Sequence, residues 1–173
     1  VRHIAVSNFS VEQMERVGKI ARIASLQPPY NMLQRNIEGE ILPYCAEHEI
    51  GVVAYSPMAK GILTGKLTKD WVDSLPDDDH RRRGGDFKEP RLSLNAKLVE
   101  GLKGIAESRG HMPARLAIAW VLRLGEVTAA IVGARRPSQI EETAPAGDWE
   151  LAAEDIDAVE KLLQERDAGI AAL

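Results

Sequence analysis

Residues 51–61 read Gly51-Val52-Val53-Ala54-Tyr55-Ser56-Pro57-Met58-Ala59-Lys60-Gly61, and this stretch is the strongest indication of the fold. Its first five residues are mostly apolar or small, as is typical of a parallel β-strand that is covered on both faces. A turn with polar residues, Pro and Gly follows, and such turns build ligand sites at strand ends in α/β folds. The stretch therefore predicts a buried strand that opens into a ligand-binding turn.

Three other apolar runs predict strands that also lead into polar or Gly-rich turns. The predicted strands are Ile4–Val6, Ala24–Gln27 and Thr128–Val132. The turns that follow them are Ser7-Asn8-Phe9, Pro28-Pro29 and Gly133-Ala134-Arg135-Arg136-Pro137. Because parallel strands end at the same edge of a sheet, we expect these turns to converge on one ligand.

Helical patterns separate the predicted strands. Ser10 and Gln13 form a capping-box signature, and Asn36 is a candidate N-cap for a helix with Ile37, Ile41 and Cys45 on one face. Further helices are predicted to begin near Leu94, Pro113, Pro137 and Glu154. The chain is thus predicted to contain four strand–helix units and a C-terminal helix.

Two α/β architectures fit this pattern. Four strand–helix units can form an open sheet, or half of a (β/α)8 barrel whose complete form contains about 250 residues. The sequence starts at Val1, almost directly before a strand, whereas domains usually begin with exposed polar residues. This start favours the half-barrel and predicts that the chain is a fragment of a longer protein.

Residues 68–93 interrupt the alternation of strands and helices. Runs of aspartate and arginine flank His80, and a pair of glycines follows them. Long loops inside compact α/β domains are usually lids, binding loops or mobile segments. A solvated surface loop of balanced charge is the simpler interpretation, and both interpretations are compatible with the sequence.

The composition limits the possible classes of function. With 173 residues, 45% of them hydrophobic and 28% charged, the chain has the composition of one globular domain. Its net charge of −4 argues against a nucleic-acid surface. Cys45 is the single cysteine, so neither a disulfide framework nor a cysteine-rich metal site is expected. The sequence contains no evident signal peptide or membrane-spanning run, which predicts a cytoplasmic protein.

Four motifs together resemble the aldo-keto reductase family, in the order of that family and over essentially the whole chain. They are Val6-Ser7-Asn8-Phe9, Gln27-Pro28-Pro29-Tyr30-Asn31, the turn from Tyr55 to Gly61, and Ile131-Val132-Gly133-Ala134-Arg135-Arg136-Pro137. The resemblance implies a (β/α)8 TIM barrel, of which this chain supplies strands five to eight. It also implies a nicotinamide cofactor, NADP rather than NAD, bound across the carboxyl ends of the strands.

The resemblance assigns roles to residues that follow the first three strands. Ser7, Asn8 and Gln27 correspond to residues that hydrogen-bond the nicotinamide carboxamide, whose donor and acceptor Asn and Gln can match. Tyr55 corresponds to the residue whose ring stacks on the nicotinamide. The turn after it is expected to contact the cofactor, mainly its diphosphate, through Ser56, Pro57, Met58, Lys60 and Gly61.

The turn after the last strand resembles the site of the adenosine 2′-phosphate. Arg135 and Arg136 supply guanidinium donors, and the helix that begins at Pro137 supplies its positive end. Glu142 corresponds to an acid that contacts the adenine amino group. The predicted site also includes four positions where many family members carry Lys, Ser, Arg and Asn, and which here are Gly133, Ala134, Gln139 and Thr143.

The catalytic residues of the family have no match in this chain. Members reduce carbonyls with an Asp, Tyr, Lys and His tetrad on the first four strands, and Tyr30, Tyr44 and Tyr55 match none of its motifs. The chain alone is therefore expected to be inactive and to need an N-terminal half-barrel, with a small-molecule carbonyl as the substrate of the complete protein. The alternative is a non-catalytic cofactor-binding or assembly module that dimerises through open sheet edges.

Overall fold

A computed structural model describes residues 1–173, and its centre is one parallel sheet. The four strands are β1 (Ile4–Ser7), β2 (Ile23–Gln27), β3 (Gly51–Tyr55) and β4 (Val127–Ile131). They lie side by side in sequence order, and every neighbouring pair is parallel. The predicted α/β architecture is confirmed, and the turns that follow the four strands all lie at the same edge of the sheet.

Seven α-helices surround or follow the strands. They are α1 (Val11–Gly18), α2 (Ile41–Glu47), α3 (Lys69–Asp73), α4 (Arg91–Ser108), α5 (Pro113–Leu122), α6 (Pro137–Thr143) and α7 (Ala153–Ala171). Short 3-10 helices occur at Ala59–Thr64, His80–Arg83, Gly85–Phe87 and Ala144–Asp148. None of the helices combines the length and the apolar character that crossing a bilayer requires.

The predicted capping box is present, but the predicted Asn36 cap is wrong. The backbone N–H of Gln13 donates to Ser10 Oγ over 3.3 Å, and that of Ser10 donates to Gln13 Oε1 over 2.9 Å. Helix α2 begins only at Ile41, with Glu40 as an N-cap whose side chain makes no capping bond. The turn before α2 is held instead by Glu38, whose carboxylate accepts hydrogen bonds from three other side chains. These tertiary bonds override the local preference of Asn36.

Residues 68–93 are more ordered than a solvated surface loop. Thr68 caps α3, because its Oγ1 accepts a 3.0 Å hydrogen bond from the backbone N–H of Trp71. Val72, Leu75 and Phe87 are buried, and the ring centroids of Trp71 and Phe87 lie 6.4 Å apart. The segment therefore packs on the body of the protein through apolar side chains.

The core lies between the sheet and its helices, and the two edges of the sheet are unpaired. Trp120 of α5 and Leu26 and Val52 of the sheet are completely buried. Strands β1 and β4 each have one neighbour, and Ile4 and Ile131 on these strands are 40% and 43% exposed. Unpaired strand edges beside apolar residues are surfaces to which another chain can add.

The capping box gives a first prediction. Replacing Ser10 by Ala removes the acceptor for the N–H of Gln13, and we expect the free energy of unfolding to fall by about 1 kcal/mol. Ser138 is exposed and its hydroxyl makes no hydrogen bond, so Ser138→Ala is the matched control and should have no effect. Urea unfolding followed by circular dichroism measures both, and equal stability of the two variants would contradict the prediction.

Candidate functional site

The ends of β1, β2 and β3 are joined by a row of hydrogen bonds. Ser7 Oγ donates to the carbonyl oxygen of Gln27 over 2.9 Å, and the backbone N–H of Asn8 donates to the same oxygen over 3.2 Å. The Tyr55 hydroxyl donates to Asn8 Oδ1 over 3.2 Å, although β2 lies between their strands. The structure thus brings together Ser7, Asn8, Gln27 and Tyr55, which the sequence predicted as one site.

Two residues directly after strands have unusual backbone conformations. Asn8 has a φ of 58° and Ser56 a φ of 57°, both in the left-handed region that few residues other than glycine adopt. Such strain persists where the surrounding structure enforces it, and it often occurs at ligand sites. Both conformations reverse the chain sharply at the edge of the sheet where the candidate site lies.

The turn after β3 continues in left-handed conformations and supports the segment 68–93. Ala59, Lys60 and Gly61 have φ values of 47°, 57° and 101°. A Cβ on Gly61 would lie 3.6 Å from Trp71 Cη2 and 3.7 Å from Arg81 Nη1, which is ordinary contact distance. The positive φ of Gly61, rather than lack of space, therefore explains the glycine. Of the other predicted residues in the turn, Pro57 is buried, Met58 is half-buried and Lys60 is exposed.

A cavity of about 420 Å³ lies beside this turn. It is bounded by the chain after β2, the turn after β3 and the end of the segment 68–93. Among the predicted site residues, Tyr55, Ser56 and Lys60 line it, and Gly84 and Asp86 of the segment 68–93 also line it. The long segment thus contributes to the candidate site.

Asn31 is a buried residue of the site for which no separate role was predicted from the sequence. Its side chain is 3% exposed, and its Nδ2 donates to the carbonyl oxygen of Ser56 over 3.0 Å. Its Oδ1 accepts a 2.9 Å hydrogen bond from the backbone N–H of Leu33. Asn31 therefore holds the strained Ser56 in place. Its position inside the Gln27–Asn31 motif was the available signal.

The turn after β4 is exposed and forms a separate part of the site. Gly133, Ala134, Arg135 and Arg136 are all exposed, and neither guanidinium makes a hydrogen bond or an ion pair. Gln139 Oε1 accepts from the backbone N–H of Arg135 over 2.7 Å and from that of Arg136 over 3.1 Å. The turn is therefore shaped by Gln139, while both charged side chains stay available to a ligand.

The last two predicted residues lie at the end of α6. Thr143 Oγ1 donates to the carbonyl oxygen of Gln139 over 2.6 Å, a bond within the helix. Glu142 is exposed, and its backbone carbonyl, not its carboxylate, receives two bonds from Arg115 of α5. None of the predicted residues from Gly133 to Thr143 lines the cavity beside Tyr55.

The hydroxyls of Tyr30 and Tyr55 are both engaged in hydrogen bonds within the chain. Burial and a 2.5 Å hydrogen bond to Glu38 raise the pKa of the completely buried Tyr30. The Tyr55 hydroxyl is bonded to Asn8, and no histidine lines the cavity. What this edge of the sheet offers is amide groups, one aromatic ring and free cations, a set suited to binding a polar ligand with an aromatic ring and phosphates.

Comparisons with known sequences identify relatives over most of the chain. The profile of the aldo/keto reductase family matches residues 1–164. Aldo-keto reductase YhdN of Bacillus subtilis (strain 168) is 34% identical over 165 residues, which are 95% of this chain and 49% of YhdN. Probable aldo-keto reductase 1 of Glycine max is 31% identical over 156 residues, or 90% of this chain and 44% of the relative.

A solved structure shares the fold. The glycerol dehydrogenase AKR11B4 from Gluconobacter oxydans has a TM-score of 0.88 with this chain at 36% identity, over 95% of this chain and 50% of that protein. The chain spans about half the length of the curated relatives it matches. Its four strands therefore correspond to half of a TIM barrel. With its profile match and the motifs at its strand ends, the chain belongs to the aldo/keto reductase family.

Proposed function

We propose that the chain supplies the cofactor-binding half of an NADP-dependent oxidoreductase that interconverts carbonyls and alcohols. Members of its family generally use nicotinamide cofactors. The observation that carries the proposal is the hydrogen-bonded arrangement of Asn8, Gln27 and Tyr55 at the carboxyl edge of the sheet. We place the protein in the cytoplasm, where its single free thiol stays reduced.

The end of the site near β1 and β2 suits the nicotinamide. The side chains of Asn8 and Gln27 are exposed, and an amide side chain can donate to and accept from the carboxamide of the cofactor. The half-buried ring of Tyr55 offers a flat apolar surface for stacking. The ring of Tyr55 would cover one face of a bound nicotinamide, and the cofactor would then supply hydride to a carbonyl carbon from the uncovered face.

The remaining residues suit the phosphates of NADP. Lys60 supplies a cation at the turn after β3, where the diphosphate is expected to pass. The unpaired guanidiniums of Arg135 and Arg136 suit the 2′-phosphate, which NAD lacks. Because Gly133 and Gln139 carry no charge, these two arginines are the charged side chains of the turn on which the preference for NADP rests.

The proton of the reduction has to come from residues outside this chain. Carbonyl reduction needs a proton at the oxygen as hydride reaches the carbon, and a positioned acid usually supplies it. The raised pKa of the buried Tyr30 and the lack of a histidine beside the cavity support this part of the proposal. A complementary half-barrel, which would also cover the edges of β1 and β4, is the partner we infer, and a small-molecule carbonyl is the substrate.

Substitution of Tyr55 tests the nicotinamide assignment. In Tyr55→Ala the stacking surface is lost, and we expect the Kd for NADPH to rise about fivefold, which corresponds to about 1 kcal/mol. Tyr55→Phe keeps the ring and loses only the bond to Asn8, so its Kd should stay within about twofold of the wild type. Isothermal titration calorimetry of the purified chain measures both values.

A cofactor analogue without the nicotinamide shows whether Tyr55→Ala affects nicotinamide binding only or the binding of the whole cofactor. The NADP analogue without nicotinamide, 2′-phospho-ADP-ribose, should bind wild type and Tyr55→Ala equally well. A wild-type chain that binds neither NADPH nor this analogue would refute the cofactor assignment. Equal losses of affinity for both ligands in Tyr55→Ala would refute the stacking role of Tyr55 but not the cofactor assignment.

The open sheet edges favour a second candidate function, a cofactor-binding module that dimerises through β1 and β4. The two candidates differ in what the complementary half-barrel does. If the oxidoreductase proposal is right, the chain alone does not reduce aldehydes with NADPH, and addition of that half produces turnover. A stable dimer in sedimentation equilibrium that binds NADPH and gains no activity would favour the module instead.

A further inference from the structure

Helix α6, which follows the two free arginines, is weakly anchored by packing. It has seven residues, none of them buried, and Ile140 on its surface is 57% exposed. An open groove of about 330 Å³ lies beside it, lined by residues of α5, β4 and α6. Short helices have little stability of their own and depend on tertiary contacts. The position of α6 therefore depends on the adjoining 3-10 helix Ala144–Asp148, in which Ala146 is buried, and on specific bonds.

Arg115 of α5 makes those bonds. Its Nε and Nη2 both donate to the backbone carbonyl oxygen of Glu142, each over 3.1 Å, in the last turn of α6. Carbonyl groups in the last turn of a helix lack partners within the helix, and a guanidinium there also matches the negative end of the helix dipole. No other side chain outside α6 forms a hydrogen bond with residues 137–143.

Arg115 is itself held firmly. It lies in the first turns of α5 between the buried residues Ala114 and Leu116. Its Nη1 is 3.0 Å from His111 Nδ1, and the His111 ring lies 4.2 Å from that of Trp149 between centroids. All three nitrogens of the Arg115 guanidinium are thus engaged, so the orientation of this side chain is set before any ligand binds.

We propose that Arg115 is a positioning residue for cofactor selection: by holding the end of α6, it sets the orientation in which Arg135 and Arg136 meet the 2′-phosphate. The inference rests on the proposed NADP preference. Glu142 lies six positions after Arg136, a distance of about 9 Å along the helix axis. A rotation of α6 at its anchored end therefore moves the arginine turn at its other end. Gln139 couples the turn to the helix, because its side chain accepts from both arginine N–H groups.

The test compares two cofactors that differ only in the 2′-phosphate. In Arg115→Ala, we expect the Kd for NADPH to rise about 3- to 10-fold and the Kd for NADH, which has no 2′-phosphate, to rise clearly less. Arg115→Lys, which keeps one donor and the charge, should show a smaller change, and methylguanidinium in the buffer should partly restore NADPH affinity to Arg115→Ala. Arg22→Ala, which removes an exposed ion pair with Glu49, is the matched control.

A double-mutant cycle tests whether Arg115 acts through the turn. The loss caused by Arg115→Ala should vanish when Arg135 and Arg136 are both already Ala, because their contacts are then absent. Equal losses for NADPH and NADH, no loss in either Arg115 variant, or a loss that persists in the Arg135 and Arg136 background would each overturn the inference. A wild-type chain that binds both cofactors equally would contradict the proposed NADP preference itself.

Discussion

Replacing Arg135 and Arg136 together by Ala is expected to reduce the preference for NADPH over NADH by about 10- to 100-fold, because one charge-assisted bond of arginine to phosphate contributes about 1.5–3 kcal/mol. Both side chains are exposed and make no hydrogen bonds, so their removal should leave the fold intact. The NADH affinity should barely change. Calorimetric Kd values for the two cofactors give the ratio directly.

The single variants show which arginine reads the phosphate. At least one of Arg135→Ala and Arg136→Ala should weaken NADPH binding selectively. Arg2→Ala removes another exposed arginine without hydrogen bonds, close to the start of β1, and serves as the matched control for net charge. An unchanged NADPH to NADH ratio in the double variant would mean that this turn does not bind the phosphate, and the NADP assignment would be lost.

The second large effect concerns stability, and it is expected at Arg123. This side chain is 11% exposed, donates to the Tyr30 hydroxyl over 2.8 Å and to Glu38 Oε1 over 3.3 Å, and lies 3.5 Å from the centroid of the Trp120 ring. We expect Arg123→Ala to lower the free energy of unfolding by about 2–3 kcal/mol, since the partly buried carboxylate of Glu38 loses one of its two cations and Trp120 loses its cation–π contact. Urea unfolding measures the change, and Arg22→Ala, which breaks an exposed ion pair, should have almost no effect.

The loss of unfolding free energy in Arg123→Ala should depend on pH. Burial alone would raise the pKa of Glu38, but hydrogen bonds from Arg35, Tyr30 and Arg123 lower it below its ordinary value. A carboxyl with a lowered pKa stabilises the fold above its ordinary pKa, and this contribution disappears as the pH falls through the lowered value. The stability difference between wild type and Arg123→Ala should therefore be largest near neutral pH and shrink in acid. A difference that is constant down to strongly acidic pH would mean that the charge of Glu38 is not involved.

The sheet was predictable because its signals are local. Each strand is a short apolar run that ends in a turn with its own sequence signature, and the Ser10 capping box is complete within four residues. The network around Glu38 is different in kind. Arg35 bonds Glu160 across 125 positions of the chain, and no periodicity relates such residues. The same network explains why the local preference of Asn36 for a helix cap was not realised.

The candidate site also contains residues that local motifs predict and residues whose contacts only the structure shows. Tyr55 and Asn8 belong to strand-end motifs, and the sequence could group them because parallel strands end at one edge. Arg115 could not be found this way, since its role depends on a contact between two helices. The packing of the segment 68–93 was also missed, because its charged residues conceal the few apolar side chains that attach it, among them Val72 and Phe87.

Because of its hydrogen bond to Asn8, the Tyr55 side chain loses conformational entropy when the protein folds rather than when a ligand binds. A phenol ring anchored only at its Cβ can sample several torsion angles, and a ligand that stacks on it has to stop that motion. Here the far end of the ring is tethered across the end of β2 by folding itself. The torsional freedom of Tyr55 is thus restricted before any ligand arrives, and an aromatic ligand meets a preorganised surface. The tether also leaves the second lone pair of Asn8 Oδ1 open to an incoming donor.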